Sequence, residues 1–307
     1  MRAEPDTATA GAVLPLYIYT CLAWSASWLG IRFQLGTVPP ELSIAYRFLL
    51  AGLVLVLWCL WRRQKLRLPL REHGFVLLQG LFLFGGNYWL FYQAAFYVPT
   101  GLMAVVMGAI IAMNMAGARL FFGTALEPRA LFGAAMGLAG IALVFLRDLL
   151  AFDLSSDGLK GLGLSLAATF CASLGNLVSV RNQRRGLPVV PVNALAMLQA
   201  GALTFVLAVT LGSPPVFDWR PGYVISLLYL AIFASAIAFG AYLTLLGRIG
   251  AARGAYVLVV TPVLAVLLSA LFEDMALRPE TAAGIALVLT GNVVILGGGA
   301  GRGGARR

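Results

Sequence analysis

The chain has 307 residues, of which 61% are hydrophobic and only 11% are charged, and its mean hydropathy is +0.90. Soluble globular domains are about 25% charged and about 45–50% apolar, so this composition excludes a water-soluble protein and predicts one that crosses a membrane several times. The formal net charge of +10 would suit a nucleic-acid partner, but the basic residues lie between apolar stretches, which argues against one.

Ten apolar stretches along the chain have the length that an α-helix needs to cross a bilayer, about 17–25 residues. In chain order they are residues 14–36, 42–61, 74–98, 100–122, 130–147, 159–181, 191–211, 222–246, 252–272 and 280–297. Their ends are predicted to within about two to four residues. The segments between them are too short to form a soluble domain. We therefore predict an all-α polytopic membrane protein with ten transmembrane helices.

The chain contains an internal repeat, in which four residues near its middle have the same spacing as four residues near its end. The two sets are Leu126, Pro128, Gly133, Gly140 and Leu277, Pro279, Gly284, Gly291. Each copy holds five predicted spans, an odd number, so the second copy is predicted to lie inverted in the membrane relative to the first. Inverted repeats are a hallmark of secondary transporters. We predict a first repeat at 14–147 and a second repeat at 159–297.

The basic residues are distributed unevenly between the two sides of the predicted bundle. If the N-terminus lies inside, sixteen Lys and Arg residues fall on the inner side and four on the outer side, namely Arg147, Lys160, Arg220 and Arg278. This is the positive-inside bias. It predicts a multi-pass protein of a bacterial inner membrane with both termini in the cytoplasm. The predicted partners are the lipid bilayer and a small-molecule substrate, with no nucleic acid and no obligatory protein partner.

The repeated pattern resembles that of the EamA family of the drug/metabolite transporter superfamily, over roughly residues 14–297. Residues 45–51, which include Arg47, are similar to the family's second helix, and the stretch from Pro262 to Glu273 is similar to its proline-to-glutamate segment. The first copy departs from the pattern, with Ile111 and Phe122 at the matching positions. The resemblance implies ten helices, alternating access and export of small metabolites, most commonly amino acids. The aromatic-rich middle of the chain resembles the aromatic amino-acid exporters.

Apart from Glu280, the first residue of the last span, the predicted spans contain no Asp or Glu, and the single histidine, His73, lies at their cytoplasmic edge. Proton-coupled carriers generally use carboxylates or histidines within the membrane, and hydrolytic enzymes need carboxylate pairs, a metal or an activated nucleophile. The three cysteines lack a metal-ligand spacing. The sequence therefore predicts no catalytic residue, no metal and no cofactor. It favours a carrier that is not proton-coupled.

Polar and aromatic side chains near the membrane midplane form the candidate substrate site. Each residue lies near the midplane, counted along its helix at about 1.5 Å per residue, or shares a helical face with a residue that does. The candidates are Trp24, Trp28, Asn87, Tyr88, Tyr92, Ser173, Gln199, Ser235 and Thr261. Such a set could stack a planar side chain and orient it by hydrogen bonds. The alternative is ordinary packing with interhelical hydrogen bonds, worth about 0.6 kcal/mol each.

Three further features each allow two interpretations. Arg47 lies about 9 Å below the outer surface, counted along its helix; it either holds the fold or binds a substrate carboxylate. Pro262 lies mid-span and either fixes a bend or acts as a hinge. The stripe of Gly133, Gly137 and Gly140 is predicted to pack the fifth span within the bundle rather than against a second protomer.

Taken together, these features predict a secondary transporter that exports small neutral or zwitterionic metabolites by alternating access. Amino acids with aromatic or large apolar side chains are the expected substrates. A broad exporter of drugs or toxic metabolites is the alternative within transport, and a membrane scaffold that transports nothing is the alternative from another class. Polar groups at the midplane favour transport, because a scaffold has no need to insert them at a cost.

Overall fold

The computed structural model describes residues 13–34, 36–152, 156–272 and 278–297, except for the side chains at positions 28, 29, 32, 268–272 and 297. Within these residues the chain forms helices and no β-strand. The principal helices, numbered in chain order, are α1 Val13–Arg32, α2 Pro40–Trp61, α3 Leu70–Ala94, α4 Thr100–Phe122, α5 Pro128–Val144, α6 Ser156–Arg184, α7 Val189–Thr210, α8 Pro221–Ile249, α9 Ala251–Phe272 and α10 Pro279–Gly297. A short helix, Leu146–Leu150, follows α5.

Seven helices in the described ranges are long and apolar enough to cross a membrane, namely α2, α3, α4, α6, α7, α8 and α10. The other three contain shorter apolar stretches, at Val13–Ser27, Pro128–Val144 and Ala251–Leu267. An all-helical polytopic membrane protein is therefore confirmed for the part of the chain that the structure describes. The passage of all ten helices through the bilayer, the inverted order of the two halves and the division into two repeats remain predictions.

Several helices begin before the spans predicted from hydropathy, because their first turns are built from proline and polar residues. Proline occupies the beginning of α2, α5 and α8, where its missing N–H removes no intrahelical hydrogen bond. The earlier starts correct one expectation, since three acidic residues outside the predicted spans lie in the first turns of helices. They are Glu41 in α2, Glu72 in the 3₁₀ start of α3 and Asp157 in α6, in addition to Glu280 in α10. A negative charge at a helix N-terminus is favourable.

Helices α2 and α7, the second helix of each predicted repeat, approach closely at two glycines. A Cβ placed on Gly52 would lie 2.9 Å from the backbone nitrogen of Leu198, and one on Gly201 would lie 2.8 Å from the backbone nitrogen of Leu49. Because such distances are too short for a carbon, both positions require glycine for this packing.

The glycines of the repeated pattern contact one another between α5 and α10. A Cβ on Gly133 would lie 3.0 Å from the carbonyl oxygen of Gly291, and one on Gly291 would lie 3.0 Å from that of Gly133. Gly140 and Gly284 form the second reciprocal pair, at 2.8 and 2.6 Å. The glycine stripe of α5 therefore packs within the bundle, as predicted. Glu273 and Leu277 of the sequence pattern lie outside the described residues.

Candidate functional site

A cavity of about 460 Å³ lies inside the bundle and is lined by α1, α2, α3, α4, α6, α8 and α9. At one extreme its lining includes Pro40 and Thr100, the first residues of α2 and α4, and Phe96, which is 72% exposed. At the other extreme it includes Asn176 and Tyr242, which are both buried. The cavity thus extends from one end of the bundle into its interior.

The opposite end of the bundle is closed by a hydrogen-bonded cluster that we call the polar network, formed by Glu72, Gln79, Arg181, Asn182 and Asn193. Arg181 pairs with Glu72 and donates to Oδ1 of Asn182 over 3.1 Å. Asn182 donates to Oε1 of Gln79 over 3.0 Å, and Gln79 donates to Oδ1 of Asn193 over 2.9 Å. The polar network therefore joins α3, α6 and α7 on the side away from the exposed end of the cavity.

Arg47 is a buried cation in the cavity wall, with only 6% of its surface exposed. Its Nε donates to the Ser235 hydroxyl over 2.7 Å, and one terminal nitrogen donates to the Tyr88 hydroxyl over 3.4 Å. The guanidinium carbon lies 5.1 Å from the centre of the Tyr88 ring and 5.5 Å from that of Phe48. No carboxylate of the described residues pairs with it. A guanidinium has five donors, so donors remain available to a molecule in the cavity.

Trp24 forms an aromatic wall of the cavity together with α8. Its ring centre lies 5.0 Å from those of Phe239 and Tyr242, and its indole N–H donates to the carbonyl oxygen of Ala234 over 2.9 Å. The indole position is therefore fixed by packing and by one hydrogen bond. An apolar face of this kind can stack against a planar ligand group.

Two π-helical segments lie beside the cavity, Leu81–Gly86 in α3 and Ile232–Ile237 in α8. The first contributes Leu83 to the cavity wall, and the second carries Ser235, which binds Arg47. Single π-helical turns within α-helices are rare and occur frequently at functional sites. Both segments lie in the third helix of a predicted repeat.

The structure brings seven of the candidate residues to the cavity wall: Trp24, Arg47, Asn87, Tyr88, Tyr92, Thr261 and Pro262. Ser235 supports Arg47 from behind the wall. Ser173 is buried but does not line the cavity, where α6 contributes Ala172 and Asn176. Around the helix Ser173 points about 100° from Ala172 and about 60° from Asn176. Gln199 lies on α7, which contributes nothing to the lining. The side chain of Trp28 lies outside the described residues.

Sequence reasoning missed Asn176 and Tyr242 at the deep end of the cavity. Asn176 donates from Nδ2 to the Tyr242 hydroxyl over 3.0 Å. Its Oδ1 is buried and has no hydrogen-bond partner among the described residues. The signal in the sequence is an amide side chain within a predicted span, since Asn176 lies in the span 159–181, one helical turn beyond Ser173.

Known proteins are similar to this chain in sequence and in fold. The EamA-like transporter family matches residues 12–146 and again residues 159–297. The inner membrane transporter YedA of Escherichia coli strain K12 is 32% identical over 260 residues, which are 84% of this chain and 80% of that protein. A protein of the same strain named "Probable amino-acid metabolite efflux pump" is 25% identical over 290 residues, 90% of this chain and 92% of its own.

One protein of known crystal structure superposes with a TM-score of 0.77 at 24% identity, over 93% of this chain and 96% of that one. At this identity the likeness shows a common fold. The family match covers most of the chain in two consecutive parts, and the first relative exceeds 30% identity over most of its own length. The chain therefore belongs to the EamA-like transporter family and is a membrane transporter.

Proposed function

We propose that the protein exports amino acids with aromatic or large apolar side chains across a bacterial inner membrane, by alternating access and without proton coupling. The observation that carries this proposal is the buried guanidinium of Arg47, which faces the cavity without a carboxylate partner in the described part of the chain. The relatives supply the broader context, since their names describe an inner membrane transporter and a probable amino-acid metabolite efflux pump.

A substrate carboxylate would complete the surroundings of Arg47. A charge removed from water is costly unless an opposite charge or several hydrogen bonds compensate it. Among the described residues, two hydroxyls and two aromatic rings contact the Arg47 guanidinium. A planar carboxylate matches the fork of guanidinium donors. The same cation repels lipophilic cations, which makes a zwitterionic amino acid a better substrate than a cationic drug.

The size and apolar wall of the cavity suit an aromatic or large aliphatic side chain. Small-molecule sites commonly measure about 300–1,000 Å³ and are mostly apolar, with a few oriented polar groups; this cavity measures about 460 Å³. Trp24, Phe239 and Tyr88 provide the rings, while Asn87 and Thr261 provide polar groups. Aspartate or lysine would bring a second charge into this wall without a counter-ion.

Alternating access is supported by the asymmetry of the two ends of the bundle. The cavity reaches exposed Phe96 at one end, and the polar network closes the other. With both termini in the cytoplasm, as the charge distribution predicts, the exposed end faces outward, so this is an outward-open state of an exporter. The reciprocal glycine pairs between α5 and α10 are what two inverted repeats related by a twofold axis would form.

Flux through purified protein in liposomes tests the proposal. We expect saturable efflux of labelled phenylalanine, tyrosine, tryptophan and leucine, with little flux of aspartate or lysine, and protein-free liposomes as the control. Tetraphenylphosphonium is the comparison for a broad drug exporter, which the mostly apolar cavity wall would also suit. Flux of that cation without amino-acid flux would favour the drug exporter, and absence of all flux would favour a scaffold.

A further inference from the structure

We propose that Asn176 makes the transporter selective for substrates whose side chain ends in an O–H or N–H donor, such as a phenol or an indole. Its side-chain oxygen would accept that hydrogen bond at the deep end of the cavity. The inference rests on the proposed function, because it takes Arg47 as the site of the substrate carboxylate.

Asn176 lines the cavity and has an unused, buried acceptor. The residue is 1% exposed and lines the cavity. Its Nδ2 is held by the Tyr242 hydroxyl at 3.0 Å, which fixes the amide plane and leaves Oδ1 without a partner among the described residues. Because a buried carbonyl oxygen is costly to leave unpaired, a ligand that donates to it is favoured over an otherwise similar ligand that cannot.

The separation between Arg47 and Asn176 decides which part of the substrate reaches the acceptor. Arg47 is bound to Ser235 and Asn176 to Tyr242, and these partners are seven residues apart on α8. At 1.5 Å per residue they lie on the order of 10 Å apart along the helix. An ammonium group next to the carboxylate would therefore remain near Arg47, and only the far end of the side chain would reach Asn176.

The space between the two polar residues is bordered by aromatic rings. Phe239 lies between Ser235 and Tyr242 along α8, and its ring centre is 5.0 Å from Trp24 and 4.9 Å from Phe84, with edge-to-face geometry in both pairs. An aromatic side chain fits such a wall. A carboxylate at one end, a ring in the middle and a donor at the other end describe tyrosine and tryptophan.

Asn114 provides a matched comparison for Asn176. It is fully buried, its Nδ2 donates to the carbonyl oxygen of Ala251 over 3.1 Å, and its Oδ1 has no partner among the described residues. It differs in lying outside the cavity lining. Replacing either residue by leucine removes a buried amide of the same kind, but only one replacement changes the candidate site.

The wild-type protein gives the first test, in proteoliposomes with labelled phenylalanine as the reference substrate. Tyrosine is expected to have a kcat/KM about tenfold or more above that of phenylalanine, as for a site that hydrogen-bonds a substrate hydroxyl. The probe 4-fluorophenylalanine fills a similar space without a donor and should behave as phenylalanine does. If phenylalanine is carried but tyrosine has no advantage, or if 4-fluorophenylalanine equals tyrosine, this inference is wrong while the proposed function stands.

The variants give the second test. Asn176→Leu is expected to lower the ratio of tyrosine to phenylalanine kcat/KM about tenfold, whereas Asn114→Leu should leave that ratio at the wild-type value. Tyr242→Phe, which keeps the ring and removes the hydroxyl that holds the amide, should lower the ratio by a smaller factor. Tyr242→Phe decides the matter if Asn176→Leu does not fold. A wild-type ratio in folded Asn176→Leu, or in Tyr242→Phe if Asn176→Leu does not fold, would overturn the proposal.

Discussion

Arg47 shows how one residue can serve both the fold and the site. Its hydrogen bond to Ser235 joins α2 to α8, which is the structural role that the sequence allowed. Arg47 also lines the cavity and has donors beyond those used by Ser235 and Tyr88, which allows the binding role. The two roles are compatible, because a cation fixed in place by one set of contacts is preorganised to bind an anion with another.

Replacement of Arg47 by methionine separates these roles if two substrates are compared. For phenylalanine we expect KM to rise at least about 30-fold, since removing one partner of a buried charge pair costs about 2–5 kcal/mol. For phenethylamine, which lacks the carboxylate, KM should not rise. Arg220→Met is the control, because Arg220 pairs with Asp218 in the loop before α8 and lies outside the cavity lining. An equal loss for both ligands would assign Arg47 a purely structural role.

The candidate site could be predicted in part, because depth in the membrane is readable from position along a helix. Trp24, Asn87 and Tyr88, which the sequence predicts near the midplane, line the cavity. The sequence does not indicate which side of a transmembrane helix faces the cavity, because such helices are apolar on nearly every side. The sequence therefore predicts Ser173 as a site residue and does not predict Asn176, although the two lie only one turn apart.

At the scale of helices, the paired glycines determine how closely the two halves approach. The spacing of Gly133 and Gly140 was visible in the sequence, but the partner of each glycine was not. The structure pairs the first glycine of one copy with the second of the other, as two antiparallel helices crossing near a twofold axis would. Proline and glycine at the helix ends were likewise visible, whereas the π-helical segments have no recognised sequence signal in this chain.

Alanine at Gly140 or at Gly284 should destabilise the contact between α5 and α10. The added Cβ would lie 2.8 Å or 2.6 Å from a carbonyl oxygen of the facing helix, and overpacking of this kind costs about 1–3 kcal/mol. We expect the melting temperature in detergent to fall by about several degrees. Gly163→Ala in α6 is the control, because a Cβ there has no described atom within 4 Å. Equal melting temperatures for the three variants would contradict this packing.

Pro262 lies within α9 and lines the cavity beside Thr261 and Leu258. Proline removes the hydrogen bond to the carbonyl four residues earlier, which is that of Leu258. If α9 bends during the transport cycle, Pro262→Ala should lower kcat severalfold and change KM little. Pro128→Ala is the control, because proline at the beginning of α5 removes no intrahelical bond. A loss of substrate binding together with flux would instead make Pro262 a static part of the site.

At the scale of the whole molecule, the arrangement of charges indicates what can drive transport. Among the described residues no Asp, Glu or His lines the cavity, although helices that begin earlier than predicted bring acidic residues into their first turns. Glu41 lies at the exposed end of the cavity: it follows Pro40 of the lining, and its carboxylate accepts a hydrogen bond from Gln93 over 3.2 Å. Glu72 is held by Arg181 in the polar network at the other end.

A proton-coupled carrier needs a group that takes up and releases a proton in step with the substrate, and such groups within membranes are usually carboxylates or histidines. Since the described residues of the cavity wall offer hydroxyls, amides and one guanidinium, substrate should run down its own gradient in proteoliposomes at a rate indifferent to an imposed pH difference. Glu41→Gln should leave that rate unchanged. Uphill accumulation driven by a pH gradient, lost in Glu41→Gln but kept in the surface control Glu280→Gln, would show that the carboxylate at the mouth couples transport to protons.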